Sequence, residues 1–183
     1  MAYTVDLPFL PERTEKPRKS GLTMVMDKGI SLRQAEDMVE SSADFIDYVK
    51  FGFGTSVISK NLKEKIKLYQ KNNIKVYLGG TLFEAFVIRN KFEDYIKFIS
   101  SLGIDSAEVS DGSINIDHDK KCEFIHKLSK NFTVLSEVGS KEEGVIIHPA
   151  RWIKMMQAEL DAGSVQVIAE ARESGNVGIF HKN

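Results

Sequence analysis

Three glutamates with matching positions are the first residues in this sequence whose type and spacing suggest chemistry. Glu108, Glu137 and Glu170 each stand at or near the end of a short apolar run. If those runs are parallel strands, their carboxyl ends meet at one edge and the three carboxylates converge there. Hard oxygen ligands of this kind suit Mg²⁺. Ion pairing with Lys50 and Arg172 would explain the same pattern, and the spacing leaves both interpretations open.

A set of cationic residues accompanies these carboxylates, namely Lys28, Lys50, Lys141 and Arg172. Together with the Gly79-Gly80 pair, they could bind a phosphorylated acid. Arginine offers a bidentate fork to such a ligand, and glycine lets backbone N–H groups approach it. Lys50 could instead form a Schiff base with a carbonyl substrate, as in aldolase-type barrels.

The elements that would position these residues follow a repeat of apolar run, polar loop and amphipathic segment. Run starts lie about 20 to 30 residues apart, the length of one βα unit, which predicts a parallel sheet. A closed barrel is favoured over an open doubly wound sheet, because charged residues follow many strands and do not cluster at one switch point. The predicted strands are 22–27, 45–51, 74–79, 106–110, 132–138 and 165–171.

Side-chain alternation assigns a face to the residues of each predicted strand. In the first run, Thr23, Val25 and Asp27 are expected to face the barrel interior, with the methionines and Leu22 facing the helices. In the last run, the residues expected inside are Ile168, Glu170 and Arg172.

Local signals predict where several helices begin and end. Ser31 with Gln34 forms a possible capping box, and Ser59 could cap the next helix. Left-handed residues that end helices are expected at Asn72-Asn73, Gly103 and Gly163.

Length and composition limit the possible architectures and partners. Residues 1–20 are predicted to be an extended arm, and residues 21–183 a (β/α)₈ barrel domain of TIM type with six of its eight units. The two further units would need about 55 to 65 residues. The net charge of −1 gives no electrostatic argument for binding nucleic acid, and no apolar stretch is long enough for a membrane span. A single cysteine fits a cytoplasmic protein.

Six ordered blocks in this sequence resemble the phosphosulfolactate synthase family. The segment before the first block resembles the bacterial branch of that family. The blocks are LTMVMDKG at 22–29, DYVKFGFGTS at 47–56, GGTLFE at 79–84, EVSDG at 108–112, SEVGSK at 136–141 and EARESG at 170–175.

The resemblance implies a magnesium-dependent lyase that adds sulfite to phosphoenolpyruvate and is a homo-oligomer. The product would lead to coenzyme M in methanogens and to sulfolactate in bacteria. The resemblance makes Lys141 the catalytic acid and the three glutamates the metal ligands. The residues it implies for substrate binding are Lys28, Lys50, Gly79, Gly80 and Arg172. A shortened, non-catalytic homologue that acts as a binding or stress-related protein is the alternative.

Overall fold

A computed structural model describes residues 7–139 and 147–169 of the chain. Strands and helices alternate through both ranges, as the repeat of apolar runs predicted. The strands are β1 (Met24–Asp27), β2 (Tyr48–Phe51), β3 (Lys75–Leu78), β4 (Ser106–Val109), β5 (Thr133–Val138) and β6 (Ser164–Ala169).

The helices follow the strands, with two of them between β3 and β4, where the sequence predicted one. No helix among the described residues combines the length and the apolarity needed to cross a bilayer. The helices are α1 (Leu32–Ser42), α2 (Leu62–Lys71), α3 (Gly80–Val87), α4 (Phe92–Ser101), α5 (His118–Ser129) and α6 (Pro149–Asp161).

The strands pair in sequence order and every pairing is parallel. One ladder runs β1-β2-β3 and the other β4-β5-β6, and β3 contacts β4. A doubly wound sheet reverses its strand order at a switch point, whereas barrel strands follow one another around the sheet. The described strands show no such reversal, so their arrangement is of the barrel type.

Apolar residues form a large core between strands and helices and a smaller one on the opposite face of the strands. The large core includes Val49, Ile66 and Phe83. The smaller one is formed by Tyr48, Tyr77 and Leu135, with Leu22 and Ile168 packed against it. The second group identifies the inner face of the strands, where Ile168 was expected.

Several predicted helix ends are confirmed. Ser31 and Gln34 form the reciprocal capping box. Asn73, Gly103 and Gly163 have positive φ values of 56°, 68° and 118° at the ends of α2, α4 and α6.

The predicted cap of the second helix is wrong. Asn61, not Ser59, is the residue before α2. The backbone N–H of Ser59 instead donates to the carbonyl of Thr55 in the preceding turn. That turn shifts the helix start two residues along the chain.

The predicted faces of β1 are also wrong, because the two faces are exchanged. Val25 packs in the helix-side core and Leu22 packs on the inner face. Asp27 points to α2, where its Oδ2 accepts hydrogen bonds from Lys65 Nζ at 2.7 Å and from Tyr69 Oη at 3.0 Å. The buried Lys65 on α2 therefore pairs with a carboxylate that side-chain alternation had placed in the barrel interior.

Residues 7–20 form no helix or strand, and three of their cationic side chains contact the segment that precedes β2. Arg18 pairs with Asp47 at 2.8 Å, and Arg13 donates to the carbonyl of Phe45 at 2.9 Å. Lys16 donates to the carbonyl of Ala43 at 2.7 Å. The described part of the arm is thus joined to the domain through cationic side chains.

Removal of one partner from the buried Asp27–Lys65 pair should be strongly destabilising. Lys65→Met leaves the Asp27 carboxylate buried without its ammonium partner, so we expect the free energy of unfolding to fall by about 3 kcal/mol or more. Lys63→Met, at an exposed position of the same helix, should change it by less than about 0.5 kcal/mol. Urea denaturation of both variants measures the difference, and equal effects would contradict this account.

Candidate active site

Lys50, Glu108 and Glu137 meet on the inner face of the strands, although β2, β4 and β5 are far apart in sequence. The Lys50 ammonium lies 2.8 Å from Glu108 Oε1 and 2.6 Å from Glu137 Oε1. Glu108 is fully buried and the other two residues are nearly so. The sequence predicted that carboxylates and a lysine would converge, and the ion pair is the form in which the described residues meet.

Burial and mutual attraction shift the titration of this group. Burial lowers the pKa of Lys50, but the charges of Glu108 and Glu137 raise it more, so the net pKa lies above its ordinary value. Burial raises the pKa of Glu108, the charge of Glu137 raises it further, and Lys50 offsets only part of the increase. Lys50 therefore remains protonated as an ammonium. At Glu108 the Lys50 charge does not offset burial and the charge of Glu137, so the neutral form is favoured more than in a free glutamate.

Gly79 and Gly80 join β3 to α3 beside this ion pair. The N–H of Gly80, in the first turn of α3, donates a hydrogen bond to Glu108 Oε1. A Cβ at Gly80 would lie 2.6 Å from the Cβ of Ser110 and 2.8 Å from Glu108 Oε1. At Gly79 it would lie 3.0 Å from Lys50 Cε. Glycine is needed here because α3 begins in close contact with the carboxylate, and the helix dipole favours that negative charge.

Two further polar groups border the ion pair and were missed in the sequence. The Tyr77 hydroxyl is buried on the inner face of β3, close to the carboxylate of Glu108. Burial and the charges of Glu108 and Glu137 raise the pKa of Tyr77. Glu84 of α3 is buried and accepts hydrogen bonds from the hydroxyl of Ser110 and the N–H of Ser113. Alternation along β3 could have identified Tyr77, whereas the positions of strand ends could not.

Of the remaining predicted site residues, the structure describes Lys28. Lys28 lines a cavity of about 430 Å³ between the loops that follow β1 and β2, together with Ser31, Thr55 and Lys60. The other three, Lys141, Glu170 and Arg172, lie outside the described residues.

The sequence model described as (2R)-phospho-3-sulfolactate synthase, ComA, matches residues 11–183. The chain belongs to the phosphosulfolactate synthase family. It is 41% identical over 176 residues to the phosphosulfolactate synthase of Methanothermobacter thermautotrophicus. It is 38% identical over 172 residues to that of Bacillus subtilis and 42% identical over 170 residues to that of Methanocaldococcus jannaschii.

These alignments cover 93%, 93% and 88% of the chain and 68%, 68% and 67% of the respective relatives. The chain thus spans about two thirds of the length of the phosphosulfolactate synthases that it matches. Identities to the archaeal and bacterial relatives are similar, so they do not separate the branches. The bacterial branch stays a prediction.

The fold is similar to that of a solved structure. A crystal structure of 3-hexulose-6-phosphate synthase superposes with a TM-score of 0.52 and 15% identity. It covers 84% of this chain and 67% of that one. At this identity the likeness concerns the fold alone, and it agrees with the sequential parallel order of the strands.

A magnesium ion, which the family resemblance implies, can be tested against the residues of the ion pair. Glu108 and Glu137 supply carboxylate oxygens, the donor type that Mg²⁺ prefers. Oε2 of Glu108 is buried and accepts no hydrogen bond from the described residues. The described residues contain no group of three or more metal-binding side chains, and Glu170 lies outside them. The two carboxylates match the donor type that a magnesium ion prefers, and the Lys50 ammonium lies on one oxygen of each.

Gly80 offers a test of how tightly the site is packed. In Gly80→Ala the new methyl group would displace Ser110 or Glu108, so we expect the free energy of unfolding to fall by about 3 kcal/mol. Gly103→Ala is the control, because its Cβ has no neighbour within 4 Å and only its positive φ causes strain, of about 1–2 kcal/mol. Chemical denaturation measures both. A Gly80→Ala loss no larger than that of Gly103→Ala would disprove the close packing.

Proposed function

We propose that this protein is a magnesium-dependent lyase that joins sulfite to phosphoenolpyruvate and forms phosphosulfolactate. The observation that carries the proposal is the buried meeting of Lys50, Glu108 and Glu137 on the inner face of β2, β4 and β5. It occurs in a chain of the phosphosulfolactate synthase family, at the strand ends where barrel enzymes place their chemistry. The name of these relatives supplies the product.

The reaction requires a carbon–sulfur bond and a proton. The sulfur lone pair of sulfite attacks the methylene carbon of phosphoenolpyruvate, and the π electrons move to C2 and its carboxylate. An ammonium group then delivers a proton to C2, which completes the addition without loss of phosphate. By family resemblance this acid is Lys141.

The protein must stabilise the negative charge that develops on the substrate carboxylate. When bound, Mg²⁺ would supply electrostatic stabilisation of that charge. Glu108 and Glu137 would hold the metal, with Glu170 as a third ligand. Lys50 fixes the first two carboxylates in place and adds a positive charge next to the substrate. Lys28 and Arg172 are the proposed partners of the phosphate and sulfite groups, with Gly79 and Gly80 at the same edge.

The proposal extends to the architecture and setting of the protein. We infer closure into an eight-stranded (β/α)₈ barrel, because the described strands are all parallel and in sequential order. A homo-oligomer in the cytoplasm is proposed on the family resemblance and the single cysteine.

The chemistry of the proposed function can be tested directly. The purified protein should consume phosphoenolpyruvate only when both sulfite and Mg²⁺ are present, with a new phosphate ester seen by ³¹P NMR. Chelation with EDTA should stop the reaction and added Mg²⁺ should restore it. Absence of turnover under all these conditions, in a chain extended to the full length of its relatives, would reject the lyase and favour the non-catalytic homologue.

A variant of the same assay tests the role of Glu108. Glu108→Gln removes the negative charge but keeps the shape, so kcat/KM should fall by about 100-fold or more because charge stabilisation is lost. Glu123→Gln is a matched control, since Glu123 is exposed and pairs only with Lys120 among the contacts described. Equal activities of the two variants would show that Glu108 has no role in the reaction.

The Schiff-base alternative predicts a different outcome at Lys50. A Schiff base needs a neutral amine, whereas the pKa of Lys50 is raised by its two carboxylates. We therefore expect borohydride with phosphoenolpyruvate or pyruvate to leave Lys50 unmodified, as checked by peptide mass spectrometry. A reduced adduct on Lys50 would replace the lyase proposal with an aldolase-type mechanism.

A further inference from the structure

A second buried ion cluster lies on the helix side of the strands, centred on Lys121 of α5. Lys121 is fully buried. Its Nζ lies 2.7 Å from Asp111 Oδ1 and 2.8 Å from Glu159 Oε1. The same ammonium donates to the backbone carbonyl of Glu137. One side chain thus joins α5 to the loop after β4, to α6 and to the end of β5.

Stability alone does not explain this cluster. A buried ion pair can often be replaced by apolar side chains of similar volume without loss of stability. Burial lowers the pKa of Lys121, but Glu159 and Asp111 raise it more, so the group remains an ammonium. Compared with an apolar side chain, a charged lysine mainly adds a geometric requirement, because its three acceptors must lie at fixed positions around the ammonium.

The geometry that it imposes concerns Glu137. The ladder between β4 and β5 ends at the pairing of Val109 with Ser136. Glu137 therefore lies one residue beyond that ladder, opposite Ile168 of β6. Lys121 fixes the main chain at this residue, whose side chain binds Lys50 on the opposite face.

We propose that Lys121 is a positioning residue for the active site, acting through the backbone of Glu137 on the carboxylate that pairs with Lys50. Lys121 touches neither substrate nor metal in this account. The inference rests on the proposed function for its catalytic readout. Its physical content, a restrained end of β5, does not depend on that function.

The experiment compares Glu159→Gln with the double variant Lys121→Met/Glu159→Gln. The single variant keeps the ammonium, Asp111 and the bond to the Glu137 carbonyl. The double variant removes the ammonium and leaves no buried Glu159 charge unpaired, while Asp111 can reach solvent. Exposed Lys120→Met is the control for loss of a lysine from the same helix.

We expect kcat of the double variant to fall by about 10- to 100-fold relative to Glu159→Gln. KM for phosphoenolpyruvate and the unfolding midpoint should stay close to those of the single variant. Amide exchange at Glu137 and Val138 should rise by about tenfold only in the double variant. Lys120→Met should match the wild type in every measurement.

Two outcomes overturn the inference. One is a folded double variant whose kcat and amide exchange both equal those of Glu159→Gln; the other is a single variant that loses as much as the double. If the double variant does not fold, Lys121→Gln/Glu159→Gln is judged by the same comparison, because glutamine is shorter and lacks the charge. If the wild type shows no turnover, the proposed function has failed, and amide exchange alone decides the role of Lys121.

Discussion

The contact on which the described site depends is a single lysine ammonium held between two buried carboxylates. Lys50 stands on β2, whereas Glu108 and Glu137 stand on β4 and β5, so the contact forms only when three strands are in register. In a medium of low dielectric each of these charges would be costly without the others. The ion pair therefore links the two ladders across the inner face, in addition to the contact between β3 and β4.

The same arrangement recurs on the helix side, where lysines reach back to the strand ends. Lys65 of α2 binds Asp27 at the end of β1, and Lys121 of α5 binds the carbonyl of Glu137 at the end of β5. Both lysines are buried by the helices that carry them. These contacts couple the packing of the helices to the geometry of the strand ends. A substitution in the helix layer can therefore shift residues on the inner face through the backbone of the strand.

Much of this fold could be predicted from sequence because its signals are local. The alternation of apolar runs and amphipathic segments, the capping box at Ser31 and the positive φ of Gly103 depend on neighbouring residues. The faces of β1 could not be predicted in that way. Alternation tells which residues share a face but not which face is inside, and the partner of Asp27 is 38 positions away. The start of α2 also depended on the turn before it.

The residues of the described ion pair were predicted from sequence, but the contacts that they make were not. Those contacts also join residues that are far apart in the chain. Strand-end spacing brought Lys50, Glu108 and Glu137 together, and it left ion pair and metal site as equal interpretations. The two are compatible in physical terms. One lysine faces two glutamates in this site, and burial together with the charge of Glu137 raises the pKa of Glu108 to about 7. The proposed substrates, phosphoenolpyruvate and sulfite, are both anions, so further positive charge at this site would favour their binding. The proposed sources of that charge are the magnesium ion and the cationic residues Lys28, Lys141 and Arg172.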